Sequence, residues 1–382
     1  MKIAMIGHKR IPSREGGVEI VVEELATRMV EKGHSVTVYN RKGKHVSGGK
    51  TVNLKEYKGV KIKSVPTFEN GKLNAIVYSV IATFLALFGR YDVIHFHAEG
   101  PCSMIWLPHL FGIHTVATIH GLDWQRAKWG GFATKFLKFG EKTAAKYADE
   151  LIVLSEGTRD YFKKTYGRET VFIPNGIDVQ NEKKADINDY IEKELVEIEK
   201  KADIITKKYG LEKDGYILFL ARIVPEKGLH YLIDAFMQTD TDKKLVIAGG
   251  VSHSGEYAKQ IHDMAKDDRI IFTGFVEGDE LWELYYNCRM YVLPSDVEGM
   301  PISLLEAMAC GCECLVSDID TAKNVVGEYG YTFKKSDVND LKNKLCEILG
   351  KPKADKAEQI EYVKNNYSWD EITDRTLELY KK

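Results

Sequence analysis

Several patterns that mark other protein classes are missing from this chain of 382 residues. The six cysteines show neither zinc-ligand spacing nor a secretory context, so we expect buried thiols in a reducing cytosol. The most apolar stretch, residues 73–88, is interrupted by polar residues and falls short of a membrane span. It favours a packed helix, or one that leans on a bilayer. The N-terminal residues lead straight into a strand, which argues against a signal peptide.

Two catalytic patterns are missing as well. The loop after the first strand contains Gly16 and Gly17 but not the G-x-G-x-x-G dinucleotide fingerprint, so a nicotinamide cofactor has no support. We find no nucleophile–base triad of the serine hydrolase type. Two glycines before a helix do let a ligand approach the backbone closely, although a simple tight turn explains them equally well.

The net charge of −2 conceals an asymmetry between the two halves. Residues 1–178 carry 26 Lys and Arg against 17 Asp and Glu, a balance of +9, and the remainder carries 28 against 39, a balance of −11. The basic half is expected to meet an anionic partner, unless its surface charge is accidental. The length suits two domains better than one core.

Short apolar runs alternate with helical patterns, which predicts α/β domains whose parallel sheets are covered on both faces. Ligands of such sheets bind at the C-terminal ends of the strands. Turn residues at Pro174–Asp178 predict a hinge between two such sets. The predicted strands are 2–7, 35–39, 61–65, 92–97, 114–119 and 150–154 in the first set, and 216–221, 244–250, 269–274, 289–294 and 313–318 in the second.

The stretch 295–311 carries the clearest chemistry. Glu298 is predicted in a loop after a buried strand, and Glu306 inside the following helix, whose first turn we expect to contain Pro301. Backbone N–H groups near Gly299 and Met300 are expected at the N-terminus of that helix, where they can hold an anion. Two carboxylates beside an anion site suit a sugar nucleotide, which joins hydroxyl groups to a phosphate. The alternative is an ordinary strand–loop–helix with two solvated glutamates.

Two cations follow the predicted strand 216–221. These are Arg222 and, five residues later, Lys227. Arginine offers a planar fork and lysine a point charge, and together they suit a diphosphate. The alternative is an exposed basic loop.

These stretches resemble glycosyltransferase family 4, whose motifs occur here in the family's order over essentially the whole chain. The resemblance implies the GT-B fold, an α/β architecture of two Rossmann-like, doubly wound parallel-sheet domains facing across a cleft. It implies an N-terminal acceptor-binding domain at residues 1–177, a nucleotide-sugar-binding domain at 178–365, and a terminal helix at 366–382 that crosses back to the first domain. It also implies a retaining enzyme that uses a nucleotide-diphosphate sugar.

The resemblance assigns catalytic roles to four residues. Arg222 and Lys227 would hold the diphosphate, and Glu298 would hold a hydroxyl of the donor sugar. His120, directly after the strand 114–119, would contact the donor sugar and its developing charge, although a lone histidine can also be structural.

Substrate contacts are implied in both domains. Glu306 would hold the ribose hydroxyls, the turn at Val276 would touch the nucleobase, and the Gly16–Gly17 loop would lie against the donor phosphate and the acceptor. The full implied set of substrate-binding residues is Gly16, Gly17, Asp123, Asn175, Val276, Gly299, Met300 and Glu306.

No cofactor is implied, because the nucleotide sugar is a substrate and GT-B enzymes usually need no metal. Two Asp-x-Asp pairs occur, at 240–242 and 318–320. Paired carboxylates can bind a divalent cation. The first pair precedes its strand, at the wrong end for ligands, and the second suits loop capping. We therefore predict no metal site.

The loops at 16–19 and 120–125 are more specifically similar to a bacterial rhamnosyltransferase-like subgroup that builds capsule and cell-wall polysaccharides. That similarity implies dTDP-rhamnose as donor and a lipid-diphosphate-linked saccharide as acceptor, and no nucleic acid as partner. Ile11 and Val18 differ from the subgroup's usual residues, so the donor sugar and the acceptor both stay open.

Residues 131–147 predict an amphipathic helix that mixes phenylalanines with lysines. One interpretation is contact with an anionic membrane, which would place a cytoplasmic protein peripherally at the inner leaflet. The other is an aromatic core face opposite a solvated lysine face. The residues concerned are Phe132, Phe136, Phe139, Lys135, Lys138, Lys142 and Lys146.

Two further functions are compatible with these motifs. One is a GT-B sugar-nucleotide 2-epimerase, which turns over its donor without an acceptor, and the other is a non-catalytic sugar-nucleotide binder. The charged segment 181–208 suggests a solvated helix or linker and has no functional interpretation.

Overall fold

The structure, a computed structural model, describes residues 1–43, 54–68, 71–125, 130–178, 204–250 and 255–381. The chain forms two compact units, the first made of residues 1–176 and 369–382 and the second of residues 177–368. The predicted boundaries were 177/178 and 365/366. Most of the charged segment 181–208 lies outside the described residues, and its last residues begin the helix Ile204–Tyr209.

The first unit contains an eight-stranded sheet in the order β3-β4-β2-β1-β5-β6-β7-β8. All neighbouring pairs are parallel except β3–β4, which is antiparallel. The strands are β1 (Lys2–Ile6), β2 (Ser35–Lys42), β3 (Glu56–Tyr57), β4 (Val60–Pro66), β5 (Val93–His97), β6 (His114–Ile119), β7 (Glu150–Val153) and β8 (Val171–Phe172).

Helices follow most of these strands. They are Gly17–Glu31, Gly71–Leu87, Glu99–Cys102, Trp106–Leu110, Gly131–Tyr147, Glu156–Tyr166 and Trp369–Leu379, with a 3-10 turn at Asp123–Gln125. The helix Trp369–Leu379 packs on the helix Gly17–Glu31, which explains why the C-terminus belongs to the first unit.

The second unit contains a six-stranded, all-parallel sheet in the order β11-β10-β9-β12-β13-β14. Its strands are β9 (Tyr216–Leu220), β10 (Lys244–Ala248), β11 (Ile270–Gly274), β12 (Met290–Leu293), β13 (Cys314–Ser317) and β14 (Tyr331–Phe333). Its helices are Ile204–Tyr209, Leu229–Met237, Gly255–Met264, Asp279–Asn287, Ile302–Ala309, Asp320–Val326, Val338–Leu349 and Ala357–Asn366, with a 3-10 turn at Pro225–Lys227.

Central strands of both sheets are buried along their whole length. In β5 and β12, for example, every residue is buried, because helices cover both faces of each sheet. This explains why these strands appear in the sequence as continuous apolar runs rather than alternating ones. The predicted α/β class with parallel sheets is confirmed.

Each sheet reverses its strand order at one point. In the first unit the reversal lies between β1 and β5, and in the second between β9 and β12. Ligands of open α/β sheets bind beyond the carboxyl ends of the strands at this switch point. A ligand-binding site is therefore expected among the residues that follow β1, β5, β9 and β12.

Two smaller expectations concern a membrane span and the burial of the cysteines. Among the described residues, no helix has both the length and the hydrophobicity to cross a bilayer. All six cysteines are free, and four are buried, but Cys310 is half-buried and Cys346 is exposed. The expectation of buried thiols is wrong for Cys346, because the helix Val338–Leu349 turns its leucines inward and this thiol outward.

Candidate active site

The switch point of the second unit is built by the loops after β9 and β12. The backbone N–H of Asp296 donates to the carbonyl oxygen of Glu226 at 2.9 Å, which ties the two loops together. The Tyr231 hydroxyl donates to Asp296 Oδ2 at 3.2 Å, and the Ser317 hydroxyl donates to the Ser295 carbonyl at 2.5 Å. The loop that carries Glu298 is therefore held from three sides.

A glycine makes the approach of these loops possible. Gly228 has φ +66°, a region that favours glycine, and a Cβ atom there would lie 2.0 Å from the carbonyl oxygen of Pro294. Any side chain at this position would push the 3-10 turn Pro225–Lys227 away from the β12 loop. The sequence shows only that a glycine follows Lys227, and the steric reason for it is visible only in three dimensions.

Lys227 and Glu298 meet across this junction. Lys227 Nζ lies 2.5 Å from Glu298 Oε1, and the Ser295 hydroxyl donates to the same oxygen at 2.6 Å. Their side chains are only 13% and 8% exposed, respectively. The alternatives of a solvated glutamate and an exposed basic loop do not hold for this pair.

Arg222 lies on the same edge of the sheet, two residues after the end of β9. It is half-buried, and we find no side-chain partner for its guanidinium group among the described residues. The edge therefore presents one cation held by a carboxylate and a second cation that none of the described residues neutralises.

Glu306 is the second predicted carboxylate, and the helix Ile302–Ala309 turns it inward. Its side chain is buried, and the Tyr285 hydroxyl donates to Glu306 Oε2 at 3.0 Å. Burial first, and then the Glu306 carboxylate, raises the pKa of Tyr285 well above its ordinary value. Tyr285 therefore keeps its proton and stays a donor, which orients Glu306. No sequence pattern pointed to Tyr285.

The N-terminus of this helix differs by one residue from the prediction. Pro301 is the N-cap, with φ −77° and ψ 111°, and the first helical residue is Ile302. Proline fixes only φ, so the extended ψ decides that it stands outside the first turn. No side chain among the described residues caps the helix. Gly299 and Met300 directly precede it, half-buried and buried, respectively.

Val276 follows β11 at the same edge of the sheet and is buried. Gly249, at the end of β10, packs its backbone against Ala221, where a Cβ atom would lie 1.8 Å from the carbonyl oxygen. The strand ends of β9, β10, β11 and β12 therefore all bring predicted residues or glycine turns to one edge.

In the first unit, His120 directly follows β6 and contacts a histidine that the sequence analysis missed. His120 Nε2 lies 3.1 Å from His97 Nδ1, and the two rings stack. His97 also stacks on His95, whose ring nitrogens contact the Tyr380 hydroxyl at 2.6 Å and the Thr118 hydroxyl at 2.7 Å. Two histidines in an otherwise apolar strand, His-x-His, were the available signal.

Burial keeps His8, His95 and His97 neutral. It lowers the pKa of His95 to about 3 and that of His97 well below its ordinary value. His8, after β1 at the same switch point, is fully buried, and its pKa is lowered to about 4. The His97 ring on which His120 stacks is therefore neutral.

The glycine loop of the first unit is closed by Glu19. Gly16 is the N-cap of the helix Gly17–Glu31, and a Cβ atom on Gly16 would lie 2.3 Å from Glu19 Oε2. Glu19 Oε1 accepts a hydrogen bond from the backbone N–H of Lys9 at 2.8 Å. A carboxylate to which the sequence analysis gave no role thus occupies part of the space beside the predicted phosphate contact.

Asp123 begins the 3-10 turn after His120, and Asn175 is buried near the boundary of the first unit. Asn175 follows β8, the outermost strand of the same sheet, which runs parallel to β7. Among the described residues, no group of three or more His, Cys, Asp or Glu is arranged to hold a metal ion. Asp318 accepts the backbone N–H of Lys335 at 2.8 Å, which is a loop-capping contact.

Two family models match this chain. Glycosyltransferase Family 4 matches residues 15–181, and Glycosyl transferases group 1 matches residues 201–366. An uncharacterized glycosyltransferase of Methanocaldococcus jannaschii is 28% identical, over 100% of this chain and 98% of that protein.

Solved structures share the fold. Sucrose-phosphate synthase from Thermosynechococcus elongatus has a TM-score of 0.81 at 21% identity and covers 100% of this chain and 98% of its own. Anabaena HepE in complex with UDP and glucose has a TM-score of 0.79 at 17% identity, over 99% and 98%. At these identities the likeness establishes the fold alone. The first half of the chain therefore carries a glycosyltransferase family 4 domain and the second half a group 1 domain, and the protein is a glycosyltransferase with the GT-B fold.

Proposed function

We propose that this protein is a retaining glycosyltransferase that moves a sugar from a nucleotide-diphosphate sugar to a lipid-diphosphate-linked saccharide in the biosynthesis of a cell-surface polysaccharide. The observation that carries the proposal is the buried Lys227–Glu298 pair, 2.5 Å apart, on the edge that also presents Arg222. A carboxylate for a sugar hydroxyl and two cations for a diphosphate stand together at a switch point.

The diphosphate leaving group is assigned to Arg222, Lys227 and the amides near Gly299 and Met300. An ammonium group has three N–H donors, so Lys227 can keep Glu298 and still donate to a phosphate. Charge builds on the leaving diphosphate as the sugar–phosphate bond breaks, and prealigned cations stabilise that charge. Each is expected to contribute about 2–4 kcal/mol to the transition state, as single oxyanion donors do.

The remaining roles follow the same chemistry. Glu306, oriented by Tyr285, accepts hydrogen bonds from the ribose hydroxyls, and the backbone at Val276 contacts the base. The first unit supplies Gly16, Gly17, Asp123 and Asn175 for substrate contacts and His120 for contact with the sugar. The anomeric configuration is retained because the acceptor hydroxyl attacks the sugar on the face from which the diphosphate leaves. A phosphate oxygen accepts the proton of that hydroxyl.

The donor that we put first is dTDP-rhamnose, because the loops at 16–19 and 120–125 are similar to those of rhamnosyltransferase-like enzymes. A thermal-shift screen against dTDP-, UDP- and GDP-sugars tests this, since only a bound ligand stabilises the fold. We expect the largest shift with dTDP-rhamnose. A larger shift with another sugar nucleotide would replace the donor and leave the transferase proposal intact.

The activity test uses the best donor with a lipid-diphosphate acceptor. Arg222→Ala is expected to lose about 30- to 1000-fold in kcat/KM, the equivalent of 2–4 kcal/mol. Glu298→Ala is expected to abolish transfer while the nucleotide still binds. Full turnover of Arg222→Ala at saturating donor would overturn the phosphate assignment. Donor conversion without acceptor would favour the epimerase, and binding without any turnover would favour the non-catalytic binder.

We also propose peripheral contact with the inner leaflet of an anionic membrane, through the exposed face of the helix Gly131–Tyr147. Phe132 and Phe139 are 73% and 52% exposed and share that face with Lys135, Lys138 and Lys142. This arrangement departs from the aromatic-core interpretation, because phenylalanines and lysines share the solvent side. A mixed face of this kind suits the surface of an anionic bilayer.

Neighbouring helices extend this surface. The helix Trp106–Leu110 packs against both the helix Gly131–Tyr147 and the helix Gly71–Leu87. Large apolar side chains near the C-terminal ends of these two neighbours are exposed, and they are Phe84, Leu85, Phe88, Leu110 and Phe111. Several exposed large apolar side chains on helices that pack together are typical of an interaction surface.

Sedimentation with phospholipid vesicles tests this contact. Phe132→Ser combined with Phe139→Ser is expected to weaken binding to anionic vesicles at least about tenfold, since each buried aromatic contributes on the order of 1.5–3 kcal/mol. Phe275→Ser, at a 49% exposed position in the second unit, is the matched control and should bind as the wild type does. An equal loss of vesicle binding in the double variant and in Phe275→Ser would contradict the proposed membrane contact. Equal binding of the wild type to anionic and zwitterionic vesicles would contradict it as well.

A further inference from the structure

Two buried carboxyl groups lie beside the loop that carries His120. Glu99 lies two residues after the end of β5, and Glu141 lies on the helix Gly131–Tyr147. Both are 0% exposed. None of the roles proposed above uses either of them, although an isolated buried charge is costly and must have a partner or a proton.

Close backbone packing brings the two together. A Cβ atom on Gly140 would lie 1.9 Å from the carbonyl oxygen of Glu99, so only glycine lets the helix approach this closely. One turn later the Thr143 hydroxyl donates to the Cys102 carbonyl at 2.8 Å. The residue after Gly140 is therefore fixed against the start of the helix Glu99–Cys102.

The partners of the two carboxyl groups differ completely. Glu141 Oε2 accepts the Trp124 indole N–H at 3.0 Å, and Glu141 Oε1 accepts the hydroxyls of Tyr161 and Tyr166 at 2.7 and 2.5 Å. Neither oxygen of Glu99 has a hydrogen bond of ordinary geometry with any described residue. Glu141 accepts three hydrogen bonds and suits the anion, whereas Glu99 has, among the described donors, only the backbone N–H of Asp123 nearby.

Charge decides which group keeps a proton. Burial, and then the carboxylates of Asp123 and Glu141, raises the pKa of Glu99 to about 10. Burial and the hydrogen bond to Glu141 raise the pKa of Tyr161 to about 12, so this tyrosine remains a donor. A carboxylate oxygen accepts two hydrogen bonds, and Glu141 Oε2 has received only one from the tryptophan and tyrosine donors, which leaves a place for a proton from Glu99.

We propose that Glu99 is a positioning residue whose protonated carboxyl group donates to the Glu141 carboxylate, and that this acid–carboxylate pair holds the turn Asp123–Gln125 through Trp124. Trp124 is held on two sides, by its hydrogen bond to Glu141 and by Lys138 Nζ, which lies 4.1 Å from its ring centroid. The pair thus acts on the loop of His120 and Asp123 without touching substrate. Its link to catalysis rests on the proposed roles of those two residues.

Glutamine substitutions separate this pair from two ordinary carboxylates. Glu99→Gln keeps a donor of the same shape and is expected to retain kcat/KM within about twofold, because its amide N–H replaces the acid O–H. Glu141→Gln turns an NH₂ group toward three donors and is expected to lose at least about tenfold in kcat/KM. Glu99→Ala removes the donor and is expected to lose about as much, and Glu99→Gln should be the variant that restores it.

A spectroscopic measurement needs no substrate. The infrared difference spectrum of the wild type minus Glu99→Gln at pH 7 is expected to contain the carbonyl band of one protonated carboxylic acid. A carboxylate band in its place, or a tenfold loss of activity in Glu99→Gln, would overturn the acid–carboxylate pair. If the acid band is present but the wild type transfers no sugar from any donor, the pair stands and the proposed function fails.

Discussion

The two units differ in how they hold several of their buried ionisable groups. The second unit pairs opposite charges, as in Lys227–Glu298 at the switch point and in the ion pair of Arg289 with Glu313, which are 6% and 2% exposed. The first unit keeps four buried groups neutral, and these are His8, His95, His97 and Glu99, while neutral donors hold its buried Glu141 carboxylate. Similar sheets therefore carry different electrostatics at their strand ends.

This difference fits the division of labour in the proposed reaction. A diphosphate carries charge, so its site needs fixed cations that are already oriented. A sugar offers neutral hydroxyl groups, which uncharged donors and acceptors bind without the cost of desolvating an ion. Changing the charge of each set of residues in turn tests this difference.

The largest expected effect is acid sensitivity of the first unit. The pKa values of His8 and His95 fall from 6.5 to about 4 and about 3 in the folded state, and that of His97 falls as well. Below pH 6.5 the unfolded chain binds protons that the folded chain does not, so stability is full above this pH and is lost as the pH falls toward 4. For each pH unit in this range, each histidine lowers the free energy of unfolding by about 1.4 kcal/mol, and the three together lower it by about 4 kcal/mol.

Hydrogen exchange of peptides from β5 and β12 between pH 7 and pH 4.5 measures this, after correction for intrinsic exchange rates. Protection of β5 should fall first, and His95→Gln should reduce the pH slope by about a third because one of three titrating groups is gone. Parallel loss of protection in both units, with no change of slope in His95→Gln, would show that the histidines do not control acid stability.

The second effect concerns the buried ion pair. Glu313→Gln leaves the Arg289 guanidinium group buried without its counter-charge, and is expected to reduce the free energy of unfolding by about 3–5 kcal/mol. The same substitution at Glu99 is expected to cost almost nothing, because that group is already neutral. Urea unfolding of the two variants at pH 7 gives the comparison, and equal costs would contradict the assignment of charge states.

A double variant provides the control. Arg289→Met with Glu313→Leu removes both charges and should recover part of the loss. Recovery stays incomplete because Arg289 also donates to the backbone carbonyls of Ile348 and Lys351, both at 2.8 Å.

The smallest effect is expected for Lys227 and Glu298. A double-mutant cycle with Lys227→Met and Glu298→Gln should give a coupling energy of about 1–2 kcal/mol in urea unfolding, since the pair is close but not fully buried. Repeating the cycle with bound nucleotide diphosphate should lower the coupling, because the ligand shares Lys227. An unchanged value with nucleotide would argue that Lys227 does not hold the diphosphate.

Much of this arrangement was open to prediction from local patterns. Apolar runs located eleven of the fourteen described strands to within a few residues, because most side chains of a strand buried on both faces are apolar. The short edge strands β3, β8 and β14 were missed. Arg222, Lys227 and Glu298 were picked out by their place directly after such runs. The position of Pro301 was missed by one residue, because proline constrains φ and leaves ψ to the surrounding loop.

The residues that act through others could not be found in this way. Tyr285 and Glu306 are far apart in sequence, as are Glu99 and Glu141, and only packing brings each pair together. By itself the sequence determined the α/β architecture and the cationic strand ends, since both follow from residue type and order. The tertiary structure alone decided which buried groups carry charge, because a pKa depends on desolvation and on neighbours that the chain brings together only when it folds.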